Sequence, residues 1–186
     1  MPSFISRTTP LSGVYILERM LRGDERGWLQ RMYCANELSE LGVSKSVAQS
    51  SLTFTRQKGA VRGMHFQYSP MAETKLVSCL QGKVFDVAVD LRAGSPTFLK
   101  WHAEVLSFEA ANTLLIPAGF AHGFQTLTED CQLLYFHTSA YSPPHEGGVN
   151  PQDPKLAIAW PLAITEISER DSAFCALTTD FQGVVL

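Results

Sequence analysis

What most limits the fold of this chain is the spacing of its short β-patterned runs. The clearest covers residues 83–91. There Phe85, Val87, Val89 and Leu91 fall on one face and Asp86, Ala88 and Asp90 on the other, the period of two that a strand imposes. Residues 101–106 alternate likewise, and 13–17, 113–116 and 131–137 have strand composition. Turn chemistry separates these runs at Gln81-Gly82, Ala93-Gly94-Ser95-Pro96 and Pro117-Ala118-Gly119. Short strands at this spacing predict an all-β sandwich or barrel. Helical patterning is confined to residues 34–41 and a turn around 168–174, with Ser168 as its cap. No linker, repeat or low-complexity stretch interrupts the 186 residues, so 1–186 is expected to be one domain with a substantial core.

Composition narrows the function classes. A net charge of −3 gives no basic footprint for nucleic acid, so an anionic ligand needs a local cluster of Arg and Lys. Cys34, Cys79, Cys131 and Cys175 are far apart and form no Cys-x-x-Cys, which argues against a zinc site or redox pair. Residues 1–10 are polar, without the apolar centre of a signal peptide, and the longest apolar runs fall far short of a bilayer span. The expectation is a cytoplasmic protein that engages no membrane and keeps its thiols reduced.

The chemistry lies in three segments. Arg62-Gly63-Met64-His65-Phe66-Gln67 is followed by Lys75, Pro117-Ala118-Gly119-Phe120-Ala121-His122 carries a second histidine, and Tyr135 closes the apolar run Leu133-Leu134. These residues offer a base, cations and a phenolic acid, a set suited to removing a proton beside a ketone and returning it to carbon. Taken singly each has a plainer reading: a core or surface histidine, a solvated lysine at a strand start, a core tyrosine. Arg62 and His65, three apart, point to opposite faces of a regular strand, so a bulge at Gly63 is needed for both to reach one ligand. Pro117-x-Gly119-x-x-His122 resembles the second half-motif of cupin barrels. Metal-binding cupins carry His-x-His in the first half-motif, whereas here His65-Phe66-Gln67 lacks the second imidazole. Two histidines with Glu73 nearby make a poor transition-metal site, so no metal or other cofactor is expected.

Over nearly its whole length the chain resembles the dTDP-4-dehydrorhamnose 3,5-epimerases. The likeness runs from Gly23-Asp24-Glu25-Arg26-Gly27 through Val61–Gln67, Lys75-Leu76-Val77, residues 82–92, Ser95-Pro96-Thr97-Phe98, 116–124 and Leu134-Tyr135 to Asp153-Pro154, Trp160-Pro161 and Ser168-Glu169-Arg170-Asp171. The resemblance implies a cupin-type jelly-roll barrel with a few short helices, free of metal and dimeric. It also implies an isomerase that inverts C3, C5 or both in a nucleotide-linked 4-keto-6-deoxyhexose, for deoxysugar or surface-polysaccharide synthesis. Under it His65 is the general base, Asp171 its paired carboxylate, Tyr135 the acid on the other sugar face and Lys75 the cation at the C4 oxygen. Arg62 and His122 bind sugar and phosphate, and Arg26 reaches into the partner subunit's site. Gln67 and Arg31 are also assigned to substrate binding.

The nucleotide-reading positions depart from the family pattern. Trp28-Leu29-Gln30-Arg31 places Arg31 where a glutamate is usual, Ser50 and Leu52 stand for Gln and Asn, and Ala140 replaces an aromatic. Arg for Glu exchanges acceptors for donors and reverses the charge, and the four departures together point to a different base, such as cytosine or guanine, or to a different sugar. Two other readings stay open: a metal-dependent cupin isomerase or dioxygenase, and a sugar-binding cupin without catalysis.

Overall fold

A computed structural model describes residues 2–186 as two facing six-stranded sheets, with a separate two-stranded hairpin. The first sheet runs β1 (Phe4–Thr8), β2 (Tyr15–Arg19), β10 (Asn112–Ile116), β7 (Lys75–Gln81), β12 (Cys131–His137) and β5 (Gln49–Thr55). The second runs β13 (Glu146–Gly148), β6 (Ala60–Gln67), β11 (Phe120–Thr126), β8 (Lys83–Asp90) and β9 (Trp101–Ser107), with β14 (Glu166–Ile167) added in parallel to β6. β3 (Leu21–Asp24) and β4 (Gly27–Gln30) form the hairpin. The helices are short: α1 (Ala35–Ser39) and α2 (Glu169–Ser172). This is the expected all-β, cupin-like jelly roll. Among the described residues no helix is long and apolar enough to cross a membrane.

The core forms three layers. Between the sheets, Val77, Cys79, Leu114, Ile116 and Leu133 of the first meet Val84, Ala88, Leu106, Phe120 and Phe124 of the second. Behind the second sheet, Met64, Val87, Val89 and Leu91 are covered by C-terminal residues such as Leu156, Trp160 and Val184. Behind the first, Leu17, Leu76 and Leu115 pack on Phe4, Leu38 and Val43. β8 is therefore buried on both faces. The polar side of its alternation, Asp86 and Asp90, is inside the protein at 0% exposure, Asp90 held by Arg92, Ser95 and Thr97 and Asp86 by His122 through Oδ1. The run expected at 13–17 becomes a strand only from Tyr15, since Gly13 sits in the preceding turn at φ +87. The helix expected over 34–41 shortens to α1, ahead of Gly42 at φ +89.

Candidate active site

β6 brings the first wall of the site into being through an irregularity. It pairs with β11 so that His65 faces His122 and Arg62 faces Phe124, leaving Gly63 and Met64 opposite the single residue Gly123. This is the bulge that the Arg62–His65 spacing requires. Gly63 has φ +121, and a Cβ there would lie 2.6 Å from Gly123 Cα, so only glycine fits. Both Arg62 and His65 consequently line one cavity of about 800 Å³ between the open ends of the sheets. Arg62 is held at its edge by Thr55 Oγ1, which accepts from Nε at 2.9 Å, and by the Phe54 carbonyl at 3.2 Å.

Asp171 arrives from 106 residues away. β14 aligns the C-terminal segment on β6, with Glu166 opposite Ala60 and Ile167 opposite Val61. Ser168 then caps α2, its Oγ accepting from the Asp171 N–H at 3.0 Å. The carboxylate receives the Gly63 N–H on Oδ2 at 3.0 Å and stands 2.7 Å from His65 Nε2 through Oδ1. Burial pushes the Asp171 pKa up, but the His65 hydrogen bond, the Gly63 N–H and Arg170 outweigh it and hold it at about 2. An ionised carboxylate only accepts, so His65 carries its proton on Nε2 and presents the Nδ1 lone pair elsewhere. Arg170 Nη2 lies 3.0 Å from the same Nε2. A guanidinium only donates, so in this tautomer Arg170 makes no hydrogen bond to Nε2, and its favourable partner is Asp171 Oδ1, 3.4 Å from its Nε.

The facing wall belongs to the first sheet. Tyr135 is buried at 8% exposure, and its phenol is raised well above the ordinary tyrosine range, first by burial and then by the charge of Asp86. His122 packs edge-on against it with ring centroids 5.9 Å apart, and His122 Nε2 is 2.8 Å from Asp86 Oδ1. Burial raises the Asp86 pKa against the opposing pull of His122. Lys75, expected at a strand start, does open β7, but it is buried at 7% rather than solvated. Its ammonium donates to the His65 carbonyl at 3.1 Å and pairs with Glu73 at 3.3 Å.

His65, Asp171, Tyr135, Lys75, Arg62 and His122 are thus gathered in one cavity. Three other predicted residues lie outside its lining. Gln67 is 4% exposed and fully engaged, donating to the Met71 and Ala140 carbonyls and accepting from the Ser142 N–H, so it ties loops together. Arg26 sits at the hairpin tip with its side chain 90% exposed, paired to Asp24. Arg31 donates to Ser3 Oγ at 2.9 Å. Ser50 and Leu52 are exposed on the outer side of β5, whereas the alternate residues Ser51 and Thr53 line the cavity. Ala140 is exposed as well. Sequence reasoning missed Arg170, whose only signal is its place beside Asp171. It also gave Glu73 no role other than poor metal ligand.

Fold and site together place the chain among the cupin-type isomerases. A family model described as dTDP-4-dehydrorhamnose 3,5-epimerase matches residues 8–179. The dTDP-4-dehydrorhamnose 3,5-epimerase of Sinorhizobium fredii is 42% identical over 87% of this chain and 85% of its own. The dTDP-4-dehydrorhamnose 3-epimerase of Streptomyces niveus is 36% identical over 89% and 80%. Among solved structures, the dTDP-6-deoxy-D-glucose-3,5-epimerase of Legionella pneumophila in complex with dTDP-4-keto-L-rhamnose superimposes with a TM-score of 0.87. It is 40% identical and the match covers 92% of this chain and 91% of that one. The chain belongs to the dTDP-4-dehydrorhamnose 3,5-epimerase family.

Proposed function

We propose that residues 1–186 act as one epimerase domain on a nucleoside-diphosphate 4-keto-6-deoxyhexose, inverting C3, C5 or both without a metal or other cofactor. The observation that carries this reading is the opposition of two proton-transfer groups. The Asp171-held imidazole of His65 stands on one sheet, Tyr135 on the other, and Lys75 beside them. His65 takes the proton from a carbon next to the ketone. The C–H electron pair becomes a C=C bond and the carbonyl π pair moves to the C4 oxygen, giving an enolate. The Lys75 ammonium stabilises that charge. The Tyr135 O–H then protonates the same carbon from the opposite face, and the tyrosinate regains its proton from solvent as His65 releases its own. Arg62 and His122 orient the sugar and its phosphates.

Deuterium labelling tests the reading. In heavy water the protein should place deuterium at C3, C5 or both of a nucleotide 4-keto sugar. His65→Ala should place none while staying folded. Tyr135→Phe should still exchange, because His65 both removes and returns a proton on its own face, yet net inversion should fall about 10²–10⁴-fold. Full inversion by Tyr135→Phe excludes the acid role. The relatives' substrates are thymidine nucleotides by name, whereas Arg31, Ser50, Leu52 and Ala140 depart from that sequence pattern. Although none of the four lines the cavity of one subunit, the departure favours a different base or a different sugar. Competition binding among TDP, CDP, GDP and UDP decides it, and a clear preference for TDP refutes the altered base.

A further inference from the structure

The cavity wall opposite His65 carries a third imidazole–carboxylate pair, which the reaction above does not use. His137, the last residue of β12, places Nδ1 2.8 Å from Glu73 Oε2. The other oxygen of the same carboxylate, Oε1, stands 3.3 Å from Lys75 Nζ, and the Glu73 and Lys75 side chains are each 8% exposed. β12 and β7 pair with His137 directly across from Lys75. The His137 ring also stacks on Tyr135, with centroids 5.7 Å apart and planes inclined by 14°. One carboxylate therefore bridges the lysine and an imidazole that lines the cavity.

The chemistry of each group gives the bridge a purpose. Burial pushes the Glu73 pKa up, but the His137 hydrogen bond and the Lys75 charge more than offset it and leave it below the ordinary glutamate range. Glu73 is thus ionised, and the nitrogen of His137 that faces it carries a proton. An ammonium has three donors; one goes to the His65 carbonyl and one to Glu73, which leaves the third for a ligand oxygen. Without Glu73, Lys75 would be a buried cation lacking a carboxylate, and burial favours the neutral amine. Without His137, Glu73 would pair with Lys75 alone and cancel more of its charge. The other ionisable groups around the cluster are Tyr135 on the same strand, His65 with Asp171 and Arg170 across the cavity, His122 with Asp86 behind Tyr135, and Arg62 at the edge.

We propose that Glu73 and His137 are positioning residues that keep Lys75 charged and aimed at the C4 oxygen, so that the enolate is met by a Lys75–Glu73–His137 cluster. The proposal rests on the epimerase reading. Its test uses Glu73→Gln, His137→Phe, which keeps a ring against Tyr135, the double variant, and Glu73→Asp as the conservative control. Glu73→Gln should lower kcat about tenfold or more with KM nearly unchanged, because the lost interaction belongs to the developing oxyanion. The alkaline limb of kcat should move to lower pH, and Glu73→Asp should restore part of both. The double variant should be no worse than Glu73→Gln alone, since His137 acts through Glu73. In the ligand-free protein, the Lys75 side-chain ammonium signal seen by NMR should broaden or vanish in Glu73→Gln, because the ammonium loses the carboxylate that holds it. Additive losses, an unmoved alkaline limb or an unchanged Lys75 ammonium signal each overturn the proposal. If the wild-type protein places deuterium in no nucleotide 4-keto sugar, the epimerase reading fails instead. The substrate-free Lys75 ammonium signal then decides the coupling by itself.

Discussion

At the scale of single residues, Asp171 does most with least. Its two oxygens fix the tautomer of His65 and anchor the backbone at Gly63, the pivot of the bulge. Asparagine has one acceptor where aspartate has two, so its NH2 would confront either the Gly63 N–H or the His65 Nε2–H. Donor would meet donor, and the imidazole would have to move its proton to Nδ1 and lose the lone pair needed as a base. Asp171→Asn should therefore lower kcat about 10²–10⁴-fold with little change in KM; steady-state kinetics showing less than a threefold loss would remove Asp171 from the mechanism. The same residue leaves a mark on acid stability. Its folded pKa, about 2, lies below the value of about 3.9 expected in the unfolded chain. Its contribution is thus present above about pH 4 and lost as pH falls toward 2. Melting curves of wild type and Asp171→Asn should diverge above pH 4 and converge near pH 2.

At the scale of elements, the bulge on β6 decides which side chains share the cavity. Gly63→Ala would force a side chain into positive φ against Gly123 Cα and the His122 carbonyl, 2.6 and 2.7 Å away. The expected cost is about 3 kcal/mol or more, read by denaturant unfolding, together with loss of activity as His65 turns from the cavity. An alanine variant of wild-type stability would contradict the packing described for this bulge. The bulge itself was legible in the sequence, because Arg62 and His65 cannot otherwise face one ligand. So were the bounds of β12 and the Ser168 cap of α2, both written in local pattern and side-chain chemistry. What stayed hidden depends on register between distant strands. Glu73 and His137 are 64 residues apart, and nothing in either segment announces that β7 and β12 are neighbours. Alternation placed Asp86 on the face opposite Val87 and Val89 but cannot reveal that a second layer covers both faces.

At the scale of the whole molecule, the hairpin of β3 and β4 stands apart from both sheets and carries Leu21, Trp28 and Leu29 at 53%, 56% and 61% exposure. Apolar side chains gathered on the element that bears Arg26 favour a surface that a second subunit covers. This supports the proposal that the protein is a homodimer with Arg26 supplied across the interface. Mixing Arg26→Ala with His65→Ala protein tests it. Mixed dimers should contain one site with both residues intact and regain activity. No recovery after proven subunit exchange would count against a shared site. Sedimentation of the wild-type chain as a monomer at working concentration would refute the dimer itself.

The Gln125 side chain clamps Leu162 at both its N–H and its carbonyl, and β14, only two residues long, follows before the Ser168 cap. The stretch from Leu162 to Asp171 is therefore a ruler fixed at both ends. One residue more or fewer would shift the carboxylate by a strand step of about 3.3 Å, more than its bond to His65 can span, while leaving the layered core untouched. A single-codon insertion there would give a folded protein whose His65 has lost its carboxylate, so the tail is constrained in its length as well as at Ser168 and Asp171.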